Sequence, residues 1–240
     1  MKLNYSSYLN LKKLLNSQES KSKPPEHDEM LFIIIHQTYE LWFKQILHEG
    51  DSTCLSLQEN NLWKSMHNLK RIRMIIKTLV NQVDILETMT PISFSSFRDR
   101  LDTASGFQSM QFREIESLFG ISRPDAEKHL GPELYGYDKY IERNKRKNLR
   151  DCLYMFLKKN GASIPDTLSK TFPYEGNDET TAEILRLYKE DQKLTGLFEL
   201  LLDIDEGLQE WRYRHIKLIQ RTIGEKTGTG GSPGGSFLVK

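Results

Sequence analysis

Hydrophobic residues recur along most of this chain at spacings of three and four, the period of a helix surface, and no alternating run lasts long enough to build a sheet. The spacing predicts a helix from Asp28 to His48, DEMLFIIIHQTYELWFKQILH, opened by Pro24-Pro25. Its first half, Met30 to Ile35, is apolar on every side and is expected to be buried rather than amphipathic. A second long pattern, Leu55 to Leu86, carries Lys64, Lys70, Arg71, Arg73 and Lys77 on one side, a face that reads as solvated. Phe112 to Phe119 continues a helix that Gly120 ends. Pro124, Gly131, Pro132 and Gly136 make Gly120 to Tyr140 a region of loops and short helices. Helical spacing returns from Ile141 to Lys159 and from Thr180 to Ile223, with Gly224 as the stop, and the segment 228–236, GTGGSPGGS, cannot be a helix. The expected fold is all-α: a single helical domain over residues 1–240, with no internal repeat and no evident boundary.

Composition narrows this little. A length of 240 residues suits one large domain or two small ones. A formal charge of +1 gives no reason to expect nucleic acid or an anionic membrane as partner. No N-terminal apolar stretch resembles a signal peptide, and no run approaches the ~20 residues of a membrane span. A cytoplasmic protein is expected, and Cys54 and Cys152, far apart in sequence and in no ligand motif, read as reduced thiols.

The candidate chemistry rests on histidine. None of the six, His27, His36, His48, His67, His129 and His215, has Glu three residues before it, and no His-Glu-x-x-His is present. A multi-histidine metal site is therefore disfavoured. A single axial histidine is not, because haem needs only one protein nitrogen and a flat apolar slot. His36 lies in the most apolar helix and shares a face with Phe32 and Glu40. His215 shares a stripe with Leu208, Trp211 and Leu218, next to Arg212 and Arg214. By spacing alone each is either a hydrogen-bonded core histidine or a functional one. The glycine run 228–236 follows a helix and lacks Gly-Lys-Ser/Thr, so it reads as a lid over a ligand or as a tail rather than a phosphate loop. Ser105-Gly106-Phe107-Gln108-Ser109 contains no nucleophile elbow.

Four blocks, in order and over nearly the whole chain, resemble the tryptophan 2,3-dioxygenase family. They are Tyr5-Ser-Ser-Tyr8-Leu9 with LKKLLNSQ, then HDEMLFIIIHQTYELWFKQILHE from His27 to Glu49, then Phe97-Arg98 with ASGFQSMQFR from Ala104 to Arg113, and WRYRHIKLIQRTIG with KTGTGGSPG. The stretch between Gly120 and Tyr188 matches poorly. The resemblance implies haem b, one per subunit, ligated through its iron by His215, in a pocket between core helices, with Ser105 and Gly106 beside the cofactor. It implies that His36 is the distal, catalytic histidine beside the indole and that Phe32 and Leu101 line an indole pocket. Arg98 would hold the substrate carboxylate, and Thr229 the amino and carboxylate end. Phe94 stands where some members carry tyrosine. Tyr5, Tyr8 and Leu9 match a segment, within residues 1–20, that reaches a neighbouring subunit's site in a homotetramer. Asp102-Thr103 replaces the Gly-Pro or Ser-Pro of relatives.

The implied reaction takes L-tryptophan and O2 to N-formyl-L-kynurenine, the first step of tryptophan catabolism by the kynurenine route. Two alternatives stand beside it: a haem mono-oxygenase or hydroxylase of a modified tryptophan or tyrosine on the same scaffold, and a non-catalytic haem-binding sensor.

Overall fold

The computed structural model describes residues 2–121, 130–165 and 177–224; Thr229 and the glycine-rich segment 228–236 lie outside them. Every regular element among the described residues is helical, as the spacing predicts. In chain order these are α1 (Tyr5–Tyr8), α2 (Leu11–Leu14), α3 (His27–Gln58), α4 (Leu62–Leu86), α5 (Pro91–Arg98), α6 (Met110–Phe119), α7 (Tyr137–Asn144), α8 (Leu149–Lys159), α9 (Asp178–Glu190) and α10 (Gln192–Ile223), with 3-10 turns at Asp99–Leu101 and Gly106–Gln108.

Boundaries differ from the sequence pattern where short polar residues act as caps. The helix predicted to stop near His48 runs on to Gln58, straight through Gly50. Gly50 is retained there for packing: a Cβ on it would sit 2.2 Å from Leu118 Cδ2, so the missing side chain lets α6 approach α3. The break comes instead at Asn60, which is left-handed at φ 60°. Asn61 Oδ1 then accepts from Lys64 N at 3.1 Å and opens α4. The predicted helix from Thr180 to Ile223 is likewise two. Asp191 turns extended after α9, and its Oδ1 accepts from Lys193 N and Leu194 N at 2.9 and 3.2 Å. The pattern from Ile141 to Lys159 is divided by a capping box in which Asn148 and Asp151 each bond the other's backbone N–H. Gly120 ends α6 at φ +76°, the left-handed conformation expected of a C-terminal glycine.

The chain forms two compact units. One comprises Glu40–Asn81 and Gly106–Arg214. Its interior is close-packed around Ile46, Leu69, Ile72, Leu118, Leu157 and Leu197. Gly207 brings α10 against α4, since a Cβ there would stand 2.8 Å from Ile76 Cγ2. Arg143 of α7 is buried between two carboxylates, with Nη2 donating to Asp51 at 2.9 Å and Nε lying 3.5 Å from Glu114. Burial pushes the Glu114 carboxyl above its ordinary range, and the Arg143 charge opposes that shift. Lys64, Lys70, Arg71, Arg73 and Lys77 are all exposed, as expected of a solvated face.

The other unit comprises Met1–Tyr39, Gln82–Ser105 and His215–Lys240. It corrects one expectation. Of the apolar run Met30 to Ile35 only Ile35 is buried, while Met30 and Ile34 remain 42% and 44% exposed. A helix buries only the sides that other elements cover. Here α5 and residues 17–22 cover part of α3, and Met30 and Ile34, one turn apart, share a side that they leave open.

Candidate active site

The start of α3 is fastened by polar contacts that put its second and third turns in register with α5. Glu29 is buried and accepts from Lys21 N at 2.6 Å, from Ser22 N at 3.0 Å and from the Ser22 hydroxyl. Burial acts to raise its pKa, but these donors outweigh it and hold the carboxyl below its usual range. Gln37 is tied to the incoming chain by Gln18 Nε2 at 2.6 Å and to Ser17 O at 3.0 Å. Asp28 bonds His27 and the Ser93 side chain, which links α3 to the first turn of α5. The turn itself is set by Pro91 and by Thr90, whose hydroxyl caps Ser93 N at 3.1 Å.

On this frame an aromatic wall forms. Phe94 and Phe97 stand three apart on α5, and Phe32 faces both at centroid distances of 5.7 and 5.6 Å. The α5 pair is itself edge-to-face at 5.4 Å, a favoured ring geometry. Phe97 is fully buried, whereas Phe32 and Phe94 keep part of their surface open. His36 lies one turn beyond Phe32, ring centroids 4.1 Å apart, with Tyr39 edge-on at 6.4 Å. Sequence reasoning missed Phe97 as a part of this wall. The signal was present in the Phe94-x-x-Phe97-Arg98 spacing, which puts Arg98 one turn after Phe94 on the same side of α5.

His36 Nδ1 is 2.7 Å from the Phe32 carbonyl. A carbonyl only accepts, so Nδ1 donates to it, and in the neutral tautomer Nε2 is then the accepting nitrogen. His215, from the last part of α10, belongs to the same unit. Its pKa is pushed down to about 4, first by desolvation and then by the charge of His36. Its ring is therefore neutral near pH 7. It lies deep among protein atoms yet keeps part of its surface open. A neutral imidazole in that setting can bond a metal without first losing a proton. Among the described residues no group of three or more His, Cys, Asp or Glu side chains is arranged to hold a metal ion.

The remaining sequence candidates divide. Arg98 ends α5 half-buried, and Leu101, also half-buried, closes the 3-10 turn that follows. Ala104 N donates to Leu101 O at 2.8 Å, and Asp102 adopts φ 49°, ψ −119°. That is the first central position of a type II′ turn, where glycine is the unstrained residue. Asp102 therefore holds this turn at a backbone cost that glycine would not incur. Ser105 is half-buried at the end of this unit; Gly106 opens the other. A Cβ on Gly106 would meet no protein atom within 4 Å, so internal packing does not demand glycine there. Glu40, which shares the His36 face by spacing, instead accepts from Ser109 Oγ and from Gln111 Nε2 at 2.7 Å and so holds the start of α6. Tyr5, Tyr8 and Leu9 are exposed, the tyrosines to 75% and 73%. Thr229 lies outside the described residues.

Comparison with known proteins adds a family. The tryptophan 2,3-dioxygenase family model matches residues 1–149 and 169–240. A protein of Herpetosiphon aurantiacus named tryptophan 2,3-dioxygenase is 45% identical over 240 residues, covering 99% of this chain and 92% of its own. One of the same name from Anaeromyxobacter sp. strain K is 41% identical, covering 98% and 89%. Another, from Serratia proteamaculans, is 37% identical, covering 100% and 88%. The poorly matching stretch of the sequence analysis contains the gap in the family match.

Proposed function

The chain belongs to the tryptophan 2,3-dioxygenase family, and on that footing we propose that it adds both atoms of O2 across the indole C2=C3 bond of L-tryptophan, giving N-formyl-L-kynurenine. The observation that carries this reading beyond the family name is the pairing of two differently prepared imidazoles, His36 and His215, in one unit with an aromatic wall. The described residues fit a haem. His215 offers a neutral nitrogen as the one protein ligand that a haem needs. Haem, when bound, supplies the iron that binds and activates O2.

The chain's own residues bind, orient and exclude water. Phe32, Phe94 and Leu101 offer apolar surface to the indole. The guanidinium of Arg98 presents a planar fork to the α-carboxylate, which selects a free amino acid; Thr229 is assigned to the same end of the substrate. His36 Nε2 accepts the indole N–H and fixes the ring's register. It is not an obligatory base, because the indole N–H is a very weak acid. Turnover under isotopically heavy O2 tests the reading: the product is expected to carry two labelled atoms. One labelled atom would make the protein a mono-oxygenase.

His36→Ala is expected to lower turnover while sparing haem content, since His36 is assigned to the substrate and His215 to the iron. The variant should handle 1-methyltryptophan, which has no N–H, relatively better than the native protein does. Loss of all haem on this substitution would make His36 a ligand or a structural residue instead.

We assign the protein to the cytoplasm and to a homotetramer. Among the described residues no helix is long and apolar enough to cross a membrane. The exposed Tyr5, Tyr8, Met30 and Ile34 are apolar surface of the kind that subunits cover. Deleting residues before Leu11 should weaken substrate binding and assembly together, read by titration and by sedimentation. A fully active monomer after that deletion would overturn the shared site.

A further inference from the structure

We propose that Cys54 and Cys152 form a peroxide-sensitive dithiol that closes to a disulfide between α3 and α8. Both are buried free thiols, and neither takes part in the site above. They are hydrogen-bonding neighbours. Gln58, one turn after Cys54 on the same side of α3, donates Nε2 to Cys152 Sγ at 3.6 Å. The seam continues beyond the pair: Lys159 Nζ donates to Gln58 O at 3.4 Å and Asn160 Nδ2 to Asn60 Oδ1 at 2.7 Å. The two helices are thus held side by side at this point before any bond joins the sulfurs.

The surroundings of the two sulfurs are unequal, and this orders the chemistry. The Cys54 contact lowers the pKa of Cys152, burial and the Asp151 charge oppose it, and the Gln58 amide and the Lys147 charge add to the lowering. The same contact raises Cys54, and burial raises it further. The thiolate is the nucleophile, and the Gln58 amide that donates to the Cys152 sulfur stabilises its thiolate, so Cys152 reacts first. A cleft of about 380 Å³, a volume ample for hydrogen peroxide, is lined by Leu57, Gln58, Lys147, Met155, Phe156 and Lys159, and so includes Gln58, whose amide bonds the Cys152 sulfur.

The Cys152 thiolate attacks one peroxide oxygen and the O–O bond breaks. Hydroxide leaves and takes up a proton as water, and Cys152 becomes a sulfenic acid. The Cys54 sulfur then attacks the Cys152 sulfur. Its proton goes to the departing hydroxide, which leaves as a second water. In sum two thiols and one peroxide give one disulfide and two waters, and a dithiol reductant reverses the oxidation. Such a bond is transient in a reducing compartment, as expected of a redox-responsive pair.

The test treats the full-length, haem-loaded protein with hydrogen peroxide, blocks free thiols under denaturing conditions and maps the peptides by mass. Both thiols are expected to be lost together, with one cross-linked peptide joining Cys54 to Cys152 that a dithiol reductant releases. In Cys54→Ser the oxidation stops at a sulfenic acid on Cys152, captured by a dimedone probe, and in Cys152→Ser the remaining thiol stays reduced at the same dose. Two thiols still titratable in the treated native protein overturn the proposal, whatever the variants do. Dimedone label on Cys54 in Cys152→Ser overturns the order of attack and the proposal with it.

Discussion

His215→Ala is expected to give a folded protein that retains little haem. The fold should survive because the burial that anchors α10 comes from other residues: Leu194, Leu197, Ile204, Trp211 and Leu218 all stay in place. What is removed is a neutral, deeply set imidazole whose desolvation leaves it with no positive charge near pH 7. With His215 as the proposed iron ligand, its loss should weaken haem retention by more than the roughly 10–100-fold that the loss of an outer-shell partner costs a metal site. The Soret absorbance per protein measures this directly, and helicity by circular dichroism confirms that the chain is folded. Added imidazole should restore part of the Soret band, because the space vacated by the side chain admits a free ligand. A full Soret band with normal activity in the variant would remove His215 from the iron.

The second large effect is expected of Arg98→Ala. Arg98 ends α5 one turn after Phe94, so its guanidinium extends from the helix that carries half of the aromatic wall. Loss of a charge-assisted hydrogen bond costs about 1.5–3 kcal/mol, so apparent affinity for L-tryptophan should fall by at least about tenfold. Tryptamine keeps the indole and lacks the carboxylate. It should bind poorly to the native protein and lose little more in the variant. Titrating both ligands against both proteins closes the cycle and isolates the arginine–carboxylate interaction. Equal losses for the two ligands would mean that Arg98 does not read the carboxylate, and the amino-acid specificity would fall with it.

Much of this architecture is legible residue by residue. Helical class follows from a local period, and Gly120, Gly224 and the basic side of α4 behave as their chemistry dictates. Helix ends are less legible because several polar residues can cap. Asn60 and Asp191 end or begin helices here, while Gly50, a stronger breaker by propensity, lies inside α3 under Leu118. The histidines show the same limit. Spacing left His36 and His215 each between a core and a functional reading, and the resemblance named their roles.

The sequence by itself determined the helices, the family and the identity of the groups that can do the chemistry, because periodicity and motif are properties of neighbours along the chain. The tertiary structure decided which of those groups share an environment. It drew Glu40 to Ser109 and Gln111. It buried Phe97 behind Phe32, left Met30 and Ile34 open, and brought Cys54 to Cys152. Burial, desolvation and the lowered pKa of His215 depend on atoms contributed by distant segments, and no local pattern encodes which segments will arrive.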